Sequence, residues 1–375
     1  MRAIPDIVGW WSAMERPLQR LPAWGAALVL AVTVALCVWA GPAEYSYGHH
    51  AASENQKRLK HGARRDFDLY ETIDKRVARG ESYWHAAEAE QRGSRYPTKP
   101  FVAVRTPMLA WGYVVWGLLG WRVIAIGLWC VTVAGMIGLL AGRSKWYERA
   151  AAALLAAVFG SVAFLVKVGL SHEIIGGLFV SSSLVLYRPQ RWWPALLLAA
   201  CGLAVRELAL PFLLLWAVFA ASQRRWREFA AVAAVVALFA LGLFLHAQAV
   251  IAERLPGDLQ SQGWTGLQGL KFPLYGLMSV TPLGRLWWWL GPPLALLPLL
   301  GWVSLGGRRG LFATLWFAGY LLAVSLFARQ ENFYWMSLML PAYGAGLALV
   351  PRALADLVSA LRPRPRAAGA GLPAT

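Results

Sequence analysis

The sequence predicts an all-α, polytopic membrane protein of about ten transmembrane helices (roughly 9–12), with a large first extracytoplasmic loop carrying amphipathic surface helices. Three observations carry that expectation. Of the 375 residues 58% are hydrophobic, and only 15% are charged, where a soluble domain carries about a quarter. The apolar residues fall into repeated stretches of roughly 14 to 20. Short clusters of Arg, Lys, Gly and Pro separate them. Soluble, disordered and fibrous classes are thereby excluded.

The first apolar run, residues 21–40, follows Arg2, Arg16 and Arg20 and has no small-residue cleavage site. It reads as an uncleaved first helix with its amino end, within 1–40, in the cytoplasm. The polar stretch 41–106 then lies outside. Further spans are expected at 107–141, 150–167, 174–187, 192–205, 207–221, 229–250, 286–305, 310–328 and 333–350, together making a multi-helix domain over 107–350. Gly120, Trp121 and Arg122 could split the first of these. Residues 351–375 form a basic cytoplasmic tail.

Positive charge orients these spans. Short cytoplasmic loops are enriched in Lys and Arg, and the expected inner linkers hold Arg143, Lys145 and Arg149, then Arg188 and Arg191, then Arg224, Arg225 and Arg227, then Arg308 and Arg309. Arg352, Arg362, Arg364 and Arg366 add to them at the carboxyl end. The formal net charge of +17 is thus spread over loops rather than gathered on one exposed face, and a nucleic-acid partner is not expected. Cys37, Cys130 and Cys201 lie in apolar stretches without CxxC spacing, so neither a disulfide framework nor a metal cluster is indicated.

The outer connectors differ in kind. They set cations beside anions or amides: Lys167 near His172 and Glu173, Arg206 beside Glu207, and Arg329 beside Gln330, Glu331 and Asn332. Ionisable groups at membrane depth are costly and mark a path or a site, so the chemistry is expected on the outer face. Each pair also has a plainer reading, as an interfacial cap or a local ion pair. Tyr334 and Trp335 suit either sugar stacking or an interfacial aromatic belt.

In the first loop, residues 64–80 read as a helix. Phe67, Tyr70, Ile73 and Val77 recur at helical spacing, acids crowd the first turn, Arg76 and Arg79 close the last, and Gly80 stops it. Such a helix would rest on the membrane surface. Asp68 with Glu71 has capping-box spacing, which makes Asp68 the cap and leaves Asp66 one step before the helix, free to point at a substrate. Two helix-start acids with no chemistry are the plainer account. Beyond Gly80, Arg92, Arg95-Tyr96-Pro97, Lys99-Pro100 and Arg105-Thr106-Pro107 present cations beside aromatics, a surface suited to lipid headgroups or a pyrophosphate. The stretch 251–285, with Glu253, Arg254, Asp258, Gln260, Gln262, Trp264 and Lys271, reads as a re-entrant or surface loop able to cover a lipid groove.

Other chemistries fit less well. Ser181-Ser182-Ser183 lacks the Gly-x-Ser-x setting of intramembrane serine proteolysis, His49-His50 reads as part of a polar loop, and there is no HExxH, P-loop or dinucleotide fingerprint.

The pattern resembles the GT-C superfamily of membrane glycosyltransferases, which use polyprenyl-phosphate sugars. The resemblance is carried by a first helix followed by an outer loop with Asp-Phe-x-x-Tyr (Asp66, Phe67, Tyr70) and Gly-Glu-x-Tyr (Gly80, Glu81, Tyr83). It extends to the run from Arg206 to Pro211 and to His172-Glu173. It implies inverting transfer to an acceptor hydroxyl on the outer side of a bacterial-type inner membrane, with Asp66 as general base and Asp68 assisting or capping. Lys167, Arg206 and Arg329 would surround the donor phosphate. Tyr70, Glu81, Tyr83, His172, Glu173, Glu207, Gln330, Asn332, Tyr334 and Trp335 would line the substrate site. The implied partners are a polyprenyl-phosphate sugar donor, a glycan, lipid or protein acceptor, and membrane lipids. The chain is short for the superfamily and lacks a soluble carboxyl-terminal domain. No cofactor is fixed by the sequence; the Asp-x-Asp leaves a divalent cation open. Two other readings use the same residues: a transporter or flippase for a polyprenyl-linked or anionic lipid, and a non-catalytic assembly partner that keeps the fold.

Overall fold

A computed structural model describes residues 9, 11, 13–60, 66–264 and 266–362, the side chains of 52–60 excepted. Arg2, Arg64, Arg65, Arg364 and Arg366, and most of the expected basic tail, lie outside the described residues. The described residues are helical and contain no strand. Five helical stretches are long and apolar enough to cross a membrane: Ala23–Ala51, Phe101–Leu140, Trp226–Ala252, Gly307–Phe327 and Ala342–Leu361. Four shorter apolar helices stand among them, at His172–Leu186, Trp193–Val205, Glu207–Ser222 and Gly291–Leu305.

The first helix, α1 (Ala23–Lys60), runs well past the expected end at residue 40 and takes in Pro42 and His49-His50. A proline inside a helix forfeits a hydrogen bond and costs roughly 3 kcal/mol. Tertiary packing offsets this, because Ala40, Ala43 and Ala51 are buried and the Tyr47 ring packs on Phe272 and Tyr275.

Two loop helices follow, α2 (Asp66–Ala78) and α3 (Tyr83–Gly93). Leu69, Ile73 and Val77 of α2 pack with Tyr83, Ala86 and Ala87 of α3 and with Val104, Ala110 and Val250. The apolar face of α2 is therefore turned into the protein instead of resting on lipid, and Phe67, counted with that face in the sequence, is exposed. Gly80, at φ 93, makes the turn between the two helices in a backbone region open to glycine. Arg76 ties the turn by pairing with Glu81 and, at 2.8 Å, with Glu90. Arg92 binds Asp258 at 2.6 Å, and Ser261 N donates to Lys99 O at 2.6 Å. These contacts fasten the start of the 251–285 stretch to the first loop. The rest of that stretch holds a buried helix, α10 (Lys271–Val280).

The long α4 (Met108–Leu140) breaks its helical dihedrals at Gly117 rather than at residues 120–122. After α5 (Trp146–Phe159), two short 3-10 turns lead to α6 (His172–Leu186), whose amino end is capped by Ser171 Oγ. Then come α7 (Trp193–Val205), α8 (Leu210–Ser222) and α9 (Trp226–Ala252). After α10 follow α11 (Gly291–Leu305), α12 (Gly307–Phe327) and α13 (Val350–Leu361). The span expected at 150–167 is thus a 14-residue helix plus turns. That at 333–350 consists of two 3-10 segments, Gln330–Met339 and Ala342–Leu349. Close approach explains the second case: a Cβ on Gly177 of α6 would collide with the Ser337 carbonyl, so the segment lies directly on the α6 backbone.

Charged residues sort to two ends of this bundle. Arg16 pairs with Asp356, Arg352 donates to the Arg143 and Glu15 carbonyls, and Arg309 donates to Leu139 O at 2.9 Å. These residues belong to segments assigned to the inner side. Glu173, Arg206 and Glu207, assigned to outer connectors, meet Arg105 in a separate cluster.

Candidate functional site

That second cluster is built where helices begin or end. Thr106 Oγ1 donates to Ala204 O at 2.9 Å, pinning the start of α4 beside the end of α7. Tyr83 Oη donates to Arg105 O at 2.8 Å. Arg105 is thereby held beside Arg206 and Glu207 in the α7–α8 connection, and beside Glu173 in the first turn of α6.

Arg206 is fully enclosed. Its Nε lies 2.7 Å from Glu173 Oε1, a close ion pair off hydrogen-bond alignment, and its NH1 pairs with Glu207. The guanidinium stands 5.6 Å over the Trp335 ring. Burying a lone guanidinium is prohibitive, and two carboxylates with an aromatic face make it tolerable. Arg105 reaches the same carboxylates at longer range, 3.7 Å to Glu173 and 3.8 Å to Glu207, and donates to Tyr334 Oη at 3.4 Å. Its charge also acts on the Tyr70 phenol. Arg206 is the more enclosed of the two cations, and its NH2 has no hydrogen-bond partner among the described residues.

Above this charged floor sits Asp66, the first residue of α2 and half-buried. Its Oδ1 accepts from Tyr96 Oη at 2.5 Å. Burial, then the Asp66 charge, holds the Tyr96 phenol above its ordinary range, so Tyr96 stays a donor. Burial likewise raises the Tyr70 phenol, with Arg105 opposing it. Tyr70 meets the His172 ring edge-on at 5.1 Å. The Asp66 charge acts on Tyr70, Tyr96 and Tyr334 together, so the acid lies near the tyrosines that border Arg105.

Beneath α2 a cavity of about 10 Å³, close to the space of one water, is bordered by Tyr70, Asp74, Tyr83 and His172. Burial pushes the Asp74 carboxyl up to about 7, and the nearby Glu71 charge adds to the effect. No ion pair reaches Asp74 among the described residues. His172 Nδ1 is buried there without a hydrogen-bond partner among them.

Eight expected residues thus converge: Asp66, Tyr70, His172, Glu173, Arg206, Glu207, Tyr334 and Trp335. Others are placed differently. Asp68 lies inside the first turn of α2, not at its cap, and its Oδ1 is 3.2 Å from Lys167 Nζ. Lys167 is substantially exposed and also pairs with Glu71 at 2.8 Å. Two carboxylates hold it, so it is no open phosphate ligand. Those hydrogen bonds, with Lys75 beside them, draw Glu71 down to about 2. Glu81 is committed to Arg76, and Tyr83 is a buried support for the Arg105 carbonyl. Arg329 is half-buried with no ion pair among the described residues, and no described contact joins Arg329, Gln330 or Asn332 to Asp66.

Sequence reasoning passed over Arg105, Tyr96 and Asp74 as site residues. In the sequence Arg105 and Tyr96 belong to a proline-interrupted surface suited to lipid headgroups or a pyrophosphate. Asp74 carried a signal, since it falls at helical spacing with Tyr70 and Val77 and so places an acid on the apolar face. Asp66 and Asp68 diverge, and no group of three or more metal-ligating His, Cys, Asp or Glu side chains gathers among the described residues. Comparison with family models, with curated proteins and with solved structures finds no match for this chain.

Proposed function

We propose that the chain is a GT-C-like membrane glycosyltransferase, multi-pass with about ten crossings, working at the outer face of a bacterial-type inner membrane. It would move a sugar from a polyprenyl-phosphate donor to an acceptor hydroxyl with inversion. One observation carries the reading: a half-buried carboxylate, Asp66, is fixed by Tyr96 over a cluster that draws Arg105, Glu173, Arg206, Glu207 and Tyr334 from four distant stretches.

In this reading Asp66 takes the acceptor hydroxyl proton as the oxygen attacks the sugar carbon. The bond from that carbon to the phosphate oxygen breaks, and its electron pair leaves on the polyprenyl phosphate. Arg105, assisted by the Tyr334 hydroxyl, meets the developing charge. Arg206 is a positioning residue that fixes Glu173 and Glu207, which in turn orient Arg105. Tyr96 orients Asp66.

The test is transfer of labelled sugar from purified polyprenyl-phosphate donor to a hydroxyl acceptor by the purified full chain. Asp66→Asn should lower the rate at least about 100-fold. Full transfer by that variant would end the assignment, and label crossing sealed vesicles with no new glycosidic bond would favour transport.

A further inference from the structure

Three helices, α6, α8 and α12, connect the Asp66 end of the bundle to a second feature. α6 begins at His172 and ends at Leu186, α8 follows Glu207 and ends at Ser222, and α12 runs from Gly307 towards Arg329. At their far ends, roughly 22 Å from the first cluster by the length of α6, lies a cleft. It encloses about 30 Å³.

The cleft is apolar below and cationic above. Phe212, Trp216, Phe219 and Phe312 form its floor, packed edge to face at 5.1–6.2 Å. Its walls, α8 and α12, expose Leu214, Val218 and Leu315 on their outer surfaces, as expected of helices facing lipid chains. Arg308 and Arg309 stand at the rim.

Charge at this rim is unbalanced. Glu228, the acid nearest the cleft, is already used: Arg225 pairs with it at 2.6 Å, and it accepts from Trp216 Nε1 at 2.5 Å and Tyr187 Oη at 3.0 Å. Arg308 lies over the Tyr187 ring at 5.4 Å and donates to Gln223. The charges acting on Arg309 include Arg188 and Arg143, Arg188 NH1 is committed to the Val185 and Tyr187 carbonyls, and neither Arg308 nor Arg309 has a carboxylate partner among the described residues. Like charges gathered beside an apolar cleft repel one another at low dielectric until an anion joins them. A separate observation points the same way. Ser183 Oγ, fully buried, borders the cleft and has no hydrogen-bond partner among the described residues.

We propose that this cleft is a binding site for the phosphate of an anionic membrane lipid. The phosphate is taken by Arg308 and Arg309, which line the cleft, and an acyl chain lies on the Phe212–Phe312 floor. Fixed guanidinium forks match phosphate oxygens, and basic pockets between membrane helices suit such headgroups. The aromatic floor favours a lipid over free phosphate. The site is distinct from the Asp66 cluster and does not depend on the transfer reading.

The test measures equilibrium binding of radiolabelled dioleoyl phosphatidic acid to the purified full chain in neutral detergent micelles, with no sugar donor present. Unlabelled dioleoyl phosphatidylcholine and inorganic phosphate serve as competitors. Phosphatidic acid should bind saturably and resist both competitors. Arg308→Gln with Arg309→Gln should weaken it about tenfold or more, the scale of a lost charge-assisted hydrogen bond. Ser183→Ala should weaken it a few-fold, and Arg227→Gln, at an exposed cation away from the cleft, should leave it unchanged. If the double variant does not fold, Ser183→Ala and single Arg309→Gln decide. Unaltered affinity in folded variants, equal competition by phosphatidylcholine, or displacement by inorganic phosphate at comparable concentration would each overturn the proposal.

Discussion

Arg206 illustrates how a single buried charge can hold a site together. With Glu173 and Glu207 removed from water around it, truncating the guanidinium leaves two carboxylates without their close partner. Arg206→Ala should destabilise the chain by about 3–5 kcal/mol, read by chemical unfolding in micelles. Lys167→Gln should leave the unfolding midpoint close to that of the native chain, because its pairs with Asp68 and Glu71 are exposed to water and counterions. Asp74 adds a pH dependence. Its folded value, about 7, stands above the ordinary value near 3.9. Between those values the folded chain holds a proton that the unfolded chain has released. The stability from this group is present below about pH 4 and is lost as pH rises to about 7. Asp74→Asn should therefore shrink the stability difference between pH 5 and pH 8, by on the order of 2 kcal/mol.

Among the elements, the first loop behaves as a folded unit strapped to the membrane helices. Its own core is small, and its ties to residues 253–261 run through Arg92 and Asp258, His85 and Glu253, and Ser261 and Lys99. Asp258→Asn should raise amide exchange in α3 and in residues 253–261 together, while α6 and α12 keep their protection. The sequence made the long apolar helices plain because their composition leaves no alternative in a bilayer. It left α1 short because Gly41-Pro42 is a stop signal that only packing against α10 and α11 overrides. It also hid the 3-10 winding of 330–349, which comes from a glycine-mediated approach to α6 that no local pattern encodes. The placement of Asp66 shows the same limit: local spacing made Asp68 the cap, whereas Tyr96 and Lys167, distant in sequence, decide where each acid points.

At the scale of the whole molecule, alternating charge composition and three-dimensional packing agree on a division into two ends. The connectors rich in mixed charge gather around Asp66 and Arg105, and the arginine-rich linkers gather around Arg143, Arg309 and Arg352. The nearness of Glu173, Arg206 and Glu207 follows from acids and bases placed at helix ends, whereas the amide-bearing Gln330 and Asn332 make no described contact with Asp66. The central cation was not legible, because Arg105 sits in a proline-flanked stretch whose route depends on Thr106 reaching the end of α7. Every functional statement made above rests on this two-ended arrangement across one bilayer. Its most direct measurement is side-specific labelling of single cysteines in sealed vesicles, after replacing Cys37, Cys130 and Cys201. Lys167→Cys and Glu331→Cys should react with an impermeant maleimide from one side, and Arg143→Cys and Arg227→Cys only from the other. Labelling of Lys167→Cys and Arg227→Cys from the same side would contradict the account.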